Sequence, residues 1–520
     1  MRKPSRSSFQ RRIAIGLGAF ARKQVLVALL LASVCIGGRL IALKWVPIPK
    51  PAIQDEFSYL LAGDTFASGR LTNPKHPLWI HFETIHELLQ PTYQSKYPPV
   101  QGLLLAVGQV AFHEPWAGVL LSMAALTVAI YWALLGWFPP KWAMLGGVLA
   151  LMQVGFLNYW SETYWGGAAA GAAGALVVGA VPRLRKKPSA RYGIVFAAGL
   201  ALLANSRPFE GAVLGVLCLG AVLVQVPAQF LLRPLAFILV PAVLWMAYFN
   251  YRVTTDPLRM PYLEHERQYA SSSAFFWQAE RPAPHYNHEL LRLSSIDADS
   301  LRAIARQHWF LARLACLANV DRILIGAPLT LCIGLFLVRM WRGQPKMRLA
   351  ILLTFLFLVG IELEVILLPH YAAPGTALAY ILAVGAVRRL RYRSAKLQWA
   401  VMVVFVAVCI GNYLTPRNRF LYDDKAIFIA RRDAVLNRLS HEPGKLLVLV
   451  DYGPRHDVNQ EWVYNGADID RSRIVWARGM GPRDQELIDY YPDRQVWKFL
   501  DNGEEGMELS PLRGSESAHR

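Results

Sequence analysis

The apolar stretch VQGLLLAVGQVAF, residues 100–112, decides which side of a membrane the rest of the chain faces. Its 13 residues are few for a transmembrane helix, which needs about 20. Three basic clusters follow it, at 183–187, 339–348 and 388–396. All three lie outside the cytoplasm if the stretch crosses the membrane, and all three lie inside if it is a short interfacial or re-entrant helix. Because basic loops stay in the cytoplasm, the sequence predicts the second arrangement.

Longer apolar runs surround this stretch and dominate the chain. Of its 520 residues 54% are hydrophobic and 18% are charged, whereas soluble domains carry about 25% charged residues. The sequence therefore predicts an α-helical polytopic membrane protein with about eleven spans. The predicted spans are 24–43, 116–136, 141–158, 166–181, 192–205, 210–226, 233–250, 322–339, 349–368, 371–387 and 397–414.

These spans define a membrane part, residues 1–414, and a C-terminal part, residues 415–520. The N-terminus is basic, so we expect it in the cytoplasm and the first span to be an uncleaved anchor in the inner (plasma) membrane. The external loops are then 44–115 and 251–320. The segments KLLVLVDYG from Lys445, RIVWAR from Arg473 and RQVWKFL from Arg494 are typical of short strands. They predict a small extracytoplasmic α/β domain with a polar end after Asp501.

Two other classes of protein are disfavoured. The net charge of +19 lies mainly in short loops between apolar runs, where it sets topology, so no nucleic-acid partner is expected. The five cysteines have no metal-ligand spacing, and the run Glu264-His265-Glu266 is not an HExxH motif. We therefore expect no zinc site and no disulfide framework, and no cofactor, with a divalent metal optional.

The first external loop carries adjacent acids. Its segment QDEFSYLLAGDTFASGRL, from Gln54, predicts a helix over 55–67 that places Asp55 and Tyr59 on one face. Asp55 and Glu56 follow the first span, so they lie at the membrane surface, where a carboxylate costs free energy unless it is solvated or paired. They either function there or stabilise the first turn of the helix.

Further candidates lie at other external helix ends. Lys96 and Tyr97 precede Pro98-Pro99, and Lys96 can hold a phosphate or simply extend to the membrane interface. Glu162 stands between two aromatic pairs in NYWSETYW. Arg207 can bind phosphate with its planar fork of donors, or it can pair with Glu162 or Glu210.

The pattern D-E-x-x-Y at Asp55, followed by K-x-P-P at Lys96, resembles the GT-C glycosyltransferases. It is most similar to the group that contains protein O-mannosyltransferases and lipid A aminoarabinose transferases, and the resemblance covers about the first 210 residues best. It implies a hexosyl- or pentosyltransferase that takes sugar from a polyprenyl-phosphate donor on the external face. The acceptor would be a glycan, lipid or protein, and membrane lipids would surround the chain.

The resemblance also implies roles for individual residues. The acid pair Asp55 and Glu56 would be catalytic, with Asp55 acting as a base or orienting the acceptor. Lys96 would contact the donor phosphate. The remaining substrate-binding candidates are Tyr59, Tyr97, Glu162 and Arg207. The sequence departs from the family pattern in two places, because Glu162 stands where many relatives have Asp and Tyr97 is inserted between the lysine and the prolines.

Two other functions fit parts of the sequence. The first is a transporter or flippase of a lipid-linked saccharide, which would carry polar groups near the bilayer midplane. Most ionisable residues here cluster at external helix ends instead, with Glu362 and Glu364 as exceptions. The second is a non-catalytic assembly scaffold that binds through the C-terminal part.

Overall fold

A computed structural model describes residues 8–415 and 425–512. The basic residues Arg2, Lys3 and Arg6 and the last eight positions lie outside this description. The helices are α1 Ser8–Arg22, α2 Gln24–Ala42, α3 Gln54–Ala67, α4 Pro99–Phe112, α5 Trp116–Trp137, α6 Pro140–Val154, α7 Gly167–Lys186, α8 Ala190–Ala204, α9 Pro208–Leu223, α10 Ala228–Thr254, α11 Pro261–Tyr269, α12 Glu289–Gln307, α13 Trp309–Leu324, α14 Ala327–Trp341, α15 Pro345–Ile361, α16 Thr376–Arg393, α17 Ala395–Leu414, α18 Lys425–Ser440 and α19 Asp484–Tyr490. The strands are β1 Glu87–Leu88, β2 Gln94–Ser95, β3 Lys445–Tyr452, β4 Ile474–Arg478, β5 Arg494–Asp501 and β6 Met507–Pro511.

Every predicted span contains a helix. Within the described residues, 6 helices are long and apolar enough to cross a membrane, and the count becomes 7 if α13 and α14, which meet at 109°, form one broken span. The protein is therefore a helical, multi-pass membrane protein. The figure of eleven spans stays a prediction, because several of the remaining helices, such as α8 with 15 residues, are short.

The decisive stretch forms the 14-residue helix α4, which packs tightly against the start of α5. A methyl group added at Gly118 would lie 1.9 Å from the carbonyl oxygen of Leu104, and one added at Gly108 would lie 2.5 Å from the backbone nitrogen of Gly118. The two backbones can approach this closely only because both positions are glycine. The helices α4 and α5 thus form a close hairpin.

Helix α7 is buried in the middle of the helical bundle, and its glycines explain how. A methyl group at Gly171 would lie 2.9 Å from Leu126 of α5, and one at Gly174 would lie 2.0 Å from the carbonyl oxygen of Pro374. Small residues at such positions let neighbouring helices approach closely in a membrane.

The C-terminal part forms a four-stranded sheet in the order β4-β3-β5-β6. The three segments that read as strands are β3, β4 and β5, and they run parallel. The predicted polar end after Asp501 needs correction, since β6 pairs antiparallel with β5. Met507 and Leu509 alternate with polar residues there and pack against the core, which is the pattern of a half-buried strand.

The central strand β3 is buried on both faces, and the first external loop covers part of each face. Leu446, Val448 and Val450 pack with α18 and with Ala52 and Phe57 beside and within α3. Leu447 and Leu449 on the opposite face share a cluster with four residues of the first loop, namely Leu61, Phe82, Leu89 and Tyr93. The first external loop and the C-terminal sheet therefore share their hydrophobic cores.

This shared core constrains the path through the membrane. Segments that pack together lie on the same side of the membrane, so the chain between Tyr93 and Lys425 must cross an even number of times. The ten predicted spans between these two residues satisfy that condition, and α4 would break it if it were an eleventh. With ten crossings α4 stays on one side of the membrane, and both the ten crossings and the position of α4 stay predictions.

We expect fusion reporters to reveal this topology. A reporter that is active only in the cytoplasm should be silent when fused after residue 512 and active when fused after Lys187, in a loop predicted to be cytoplasmic. The second fusion is the matched control for expression. Cytoplasmic activity of the C-terminal fusion would contradict the external position of both the sheet and the first loop.

Candidate active site

Asp55 lies in the first turn of α3, and two side chains donate hydrogen bonds to the same oxygen. The Tyr97 hydroxyl and the His86 Nδ1–H both donate to Asp55 Oδ1. The Tyr97 hydroxyl also lies 3.3 Å from His86 Nδ1. Tyr97 comes from the turn before α4 and His86 from the turn before β1, so the fold brings three separate segments together.

A stacked pair of tyrosines forms one wall of this cluster. The rings of Tyr59 and Tyr97 lie 4.3 Å apart with 14° between their planes. Burial raises the pKa of Tyr59 to about 12, so its phenol stays neutral at physiological pH. The predicted shared face of Asp55 and Tyr59 is therefore the face of α3 that meets Tyr97.

Lys96 supplies a positive charge beside this pair of tyrosines. Its Nζ lies 5.2 Å from the centre of the Tyr97 ring. Within the described part of the chain, Nζ has no hydrogen bond and no ion pair. Burial lowers the pKa of Lys96 to about 8, although Asp55 and Glu266 raise it in part. The side chain is thus a partly buried cation that an anion could neutralise.

Arg207 precedes α9 and belongs to the same region. Its guanidinium lies 5.1 Å from the centre of the Tyr371 ring and is close enough to Tyr59 and Tyr97 to interact with them electrostatically. Of the two partners considered from the sequence, it pairs with Glu210, at a separation of 3.8 Å. This loose contact leaves donors of the guanidinium for a ligand.

Glu162 lies outside the cluster. Its carboxylate binds Arg39 of α2, with 2.8 Å from Nε to Oε1 and 3.1 Å from Nη2 to Oε2. Arg39 also donates to the backbone carbonyls of Val46 and Pro47. The arrangement is a buried ion pair near the C-terminal end of α2, and a substrate-binding role of Glu162 stays a prediction. Arg39 itself signalled this pair in the sequence, because an arginine inside a predicted span needs a partner.

Glu56 also points away from Asp55. Both of its carboxylate oxygens lie 2.9 Å from Lys425 Nζ, and it accepts a hydrogen bond of 3.0 Å from the backbone N–H of Ala52. Its side chain is fully buried. These contacts support the structural alternative, in which Glu56 caps α3 and ties it to α18, over the catalytic role that the resemblance implied.

Two histidines of the site escaped the sequence analysis. His86 contacts Asp55, and the Nε2 of His265 accepts the backbone N–H of His86 at 3.2 Å. No motif marks His86, and His265 stood in a run inspected only for metal ligands. The left-handed backbone of His86, with φ of 69°, is unusual for a residue with a side chain and is visible only in the structure.

The side chains around Asp55 include possible metal ligands. Among the described residues, no group of three or more His, Cys, Asp or Glu side chains is arranged to hold a metal ion. Asp55 and His86 bind each other, His265 accepts a hydrogen bond from the backbone of His86, and the remaining neighbours are a lysine, an arginine and tyrosines. Metal independence stays a prediction.

Comparison with known proteins gives the fold a name. No family model matches the sequence, and no curated protein matches it. ArnT from Cupriavidus metallidurans in the apo state aligns with a TM-score of 0.51 and 15% identity over 93% of this chain and 93% of ArnT. ArnT bound to undecaprenyl phosphate gives a TM-score of 0.50 with the same identity and coverage. This chain has the GT-C fold.

The GT-C fold expected from the first external loop is therefore confirmed, and the match extends well beyond the first 210 residues. The Archaeoglobus fulgidus oligosaccharyltransferase is more distant, with a TM-score of 0.46 and 9% identity over 82% of this chain and 62% of its own. An identity of 15% supports a shared fold and leaves substrates and residue roles to be argued from this chain.

We expect Glu56 to be a structural residue. Lys425→Met removes the cation that pairs with the buried Glu56 carboxylate, and Glu56→Gln removes the charge that binds Lys425. Breaking a buried ion pair costs about 3–5 kcal/mol. Each single variant should therefore lower the apparent melting temperature of the purified protein. The double variant should lose less than the sum of the two. An unaltered melting temperature together with lost activity would instead support the catalytic role.

The lowered pKa of Lys96 predicts pH-dependent anion binding. Lys96 loses its charge as pH rises through about 8, so affinity for undecaprenyl phosphate should fall above that pH, by up to about tenfold per pH unit. Lys96→Arg keeps the charge and should flatten this dependence between pH 8 and 9.5. Lys50→Arg, at an exposed ion pair with Asp433, is the matched control and should behave as wild type. An identical pH dependence in Lys96→Arg would exclude Lys96 as the phosphate contact.

Proposed function

We propose that this protein is a membrane glycosyltransferase that moves a hexose or pentose from a polyprenyl-phosphate donor to a hydroxyl-bearing acceptor on the external face of the plasma membrane. One observation carries the proposal. An ionised carboxylate, Asp55, interacts electrostatically with Lys96, a cation without an ion-pair partner in the described chain, within the GT-C fold. The carboxylate suits an acceptor hydroxyl, and the cation suits a phosphate.

The donor phosphate would be held by Lys96 and Arg207. As the bond between sugar and phosphate breaks, negative charge grows on the phosphate, and fixed cations stabilise that charge more in a partly buried site than in water. Arg207 can approach two phosphate oxygens at once through its fork of donors. The presence of undecaprenyl phosphate in the ArnT structure supports a carrier of this chemical class.

Asp55 is suited to orienting the acceptor. Burial raises the pKa of Asp55, but the hydrogen bonds and charge of His86, the charge of Lys96 and the hydrogen bond of Tyr97 outweigh burial and hold the pKa below its usual range. Such a carboxylate stays ionised throughout the physiological range and takes up protons weakly. Its second oxygen, Oδ2, has no hydrogen-bond partner within the described chain and can accept the acceptor hydroxyl.

The transporter alternative has little support from the two acids that motivated it. Glu362 lies 2.9 Å from Arg313 Nε, and the carbonyl oxygen of Glu364 accepts a hydrogen bond from the same guanidinium. Both residues follow the end of α15 and are not in the middle of a span. No contact within the described residues favours the scaffold alternative over an enzyme.

The proposal can be tested before the sugar is known. Any enzyme of this class converts its lipid-linked donor into free polyprenyl phosphate. We expect purified protein, added to a lipid extract of its native membrane with an envelope fraction as acceptor, to release undecaprenyl phosphate that mass spectrometry can quantify. Asp55→Asn should reduce the release by roughly 10²–10⁴-fold.

Asp433→Asn removes a carboxylate from an exposed ion pair and serves as the control with wild-type activity. Asp55→Asn should still fold, because Asn is also a good residue at the start of a helix. Full activity in a well-folded Asp55→Asn protein would contradict the assigned site. Movement of intact lipid-linked saccharide across vesicles without release of polyprenyl phosphate would favour the transporter.

A further inference from the structure

Three hydrogen bonds hold the backbone of His86, which lies in a loop. Its carbonyl oxygen accepts hydrogen bonds from the Ser58 hydroxyl at 2.6 Å and from the Lys96 backbone N–H at 3.3 Å. Its own N–H donates to His265 at 3.2 Å. These contacts keep a non-glycine residue in the left-handed region, with φ of 69°. Such strained residues persist where the surroundings fix them, and they cluster at functional sites.

The contact with Asp55 fixes the chemistry of the His86 ring. An ionised carboxylate only accepts hydrogen bonds, so the proton must lie on Nδ1. The other nitrogen, Nε2, then carries a lone pair. Nε2 has no hydrogen-bond partner among residues 8–415 and 425–512, and the side chain of His86 is 26% exposed. A histidine in this tautomer, oriented by an aspartate, has the form of a general base.

We propose that His86 accepts the proton of the acceptor hydroxyl and that Asp55 is the positioning residue that orients His86. The inference deepens the proposed function and rests on it. Asp55 itself is the weaker candidate for the base, because its carboxylate already accepts two hydrogen bonds at Oδ1 and is stabilised in its ionised form.

The charged groups around His86 favour its unprotonated state. Burial lowers the pKa of His86, and the positive charges of Lys96 and Arg302 lower it further, while Asp55 raises it. The neighbouring His265, from α11, also has a lowered pKa because of burial. The Tyr97 hydroxyl and the Asp55 carboxylate both face Nδ1 of His86. His86 is thus available to accept a proton at neutral pH.

The proposed step is balanced within the site. The acceptor oxygen forms a bond to the anomeric carbon of the sugar as its proton passes to His86 Nε2. The bond between the anomeric carbon and the phosphate oxygen breaks, and the electron pair leaves with the polyprenyl phosphate, beside Lys96 and Arg207. The imidazolium is stabilised by Asp55 until it releases its proton to water.

A pH profile separates His86 from Asp55 as the base. In the polyprenyl phosphate release assay, the wild-type rate should rise with pH through a midpoint below 6.5 and level off near neutrality. His86→Gln should lower the rate by roughly 10²–10⁴-fold and remove the rising limb. Its affinity for undecaprenyl phosphate should stay within about threefold of wild type. In Asp55→Asn the limb should shift to lower pH, because a negative charge beside the imidazole is lost.

His86→Gly guards against misfolding of the glutamine variant. Glycine suits the left-handed backbone and leaves a space of the size of an imidazole ring. Added imidazole should restore part of its activity, which would not occur if the ring were merely structural. His76→Gln is the matched control, since His76 also pairs with an aspartate, Asp470 at 3.2 Å, outside the cluster. It should keep wild-type activity and its rising limb.

The outcomes separate the two proposals. Wild-type protein that releases no polyprenyl phosphate would overturn the proposed function and, with it, the role of His86. Active wild type together with a fully active His86→Gln would overturn only the role of His86. An impaired His86→Gln that keeps the wild-type acid limb, or a His86→Gly that imidazole does not rescue, would return the proton-accepting role to Asp55.

Discussion

The burial of the C-terminal sheet against the first external loop is the constraint on which the candidate site depends. Strand β3 carries apolar side chains on both faces, and residues of the first loop cover part of each face. The loop has only two short strands of its own, β1 and β2, so it could not hold three segments around Asp55 by local structure alone. Glu56, on a different face of α3 from Asp55, adds a buried ion pair to Lys425. Of the two adjacent acids, Glu56 therefore fixes the helix and Asp55 faces the cluster.

The cluster combines groups whose charges do not cancel locally. Asp55 is held in its ionised form by hydrogen bonds from His86 and Tyr97, while Lys96 and Arg207 add positive charge that Asp55 alone does not balance. Burial makes this excess costly, which is why it lowers the pKa of Lys96 instead of leaving it at an ordinary value. A site of this kind gains stability when an anion binds. The same positive charge disfavours protonation of His86, so the proposed phosphate binding and the proposed proton acceptance would draw on one electrostatic arrangement.

Every span predicted from the sequence contains a helix, because a bilayer restricts what can cross it and apolar length locates such segments. The helices α1, α11, α12 and α13 were not predicted. The sequence predicted Asp55, Tyr59, Lys96 and Tyr97 as candidates because they lie at the ends of predicted helices or follow a motif. The sequence could not predict in this way that these side chains lie close together. His86 and His265 are 179 residues apart and come together through loops with no periodic pattern. The ion pair of Glu162 was missed for a related reason, since its partner Arg39 lies in a helix far away in the sequence, and the pairing depends on how the helices pack.

The departure from the family pattern at Tyr97 now has a physical explanation. In K-x-P-P the inserted residue, Tyr97, separates Lys96 from the prolines that begin α4 and lies in the turn before that helix. Here it points at Asp55, and its ring stacks on Tyr59 one helical turn further along α3. The insertion therefore fills the space beside the carboxylate with a neutral hydrogen-bond donor instead of a second charge. A neutral donor stabilises the ionised carboxylate without adding a second cation that would compete with Lys96 for the proposed donor phosphate. Tyr97 thus connects the two parts of the motif, because it contacts Asp55 and Tyr59 of α3 and directly follows Lys96.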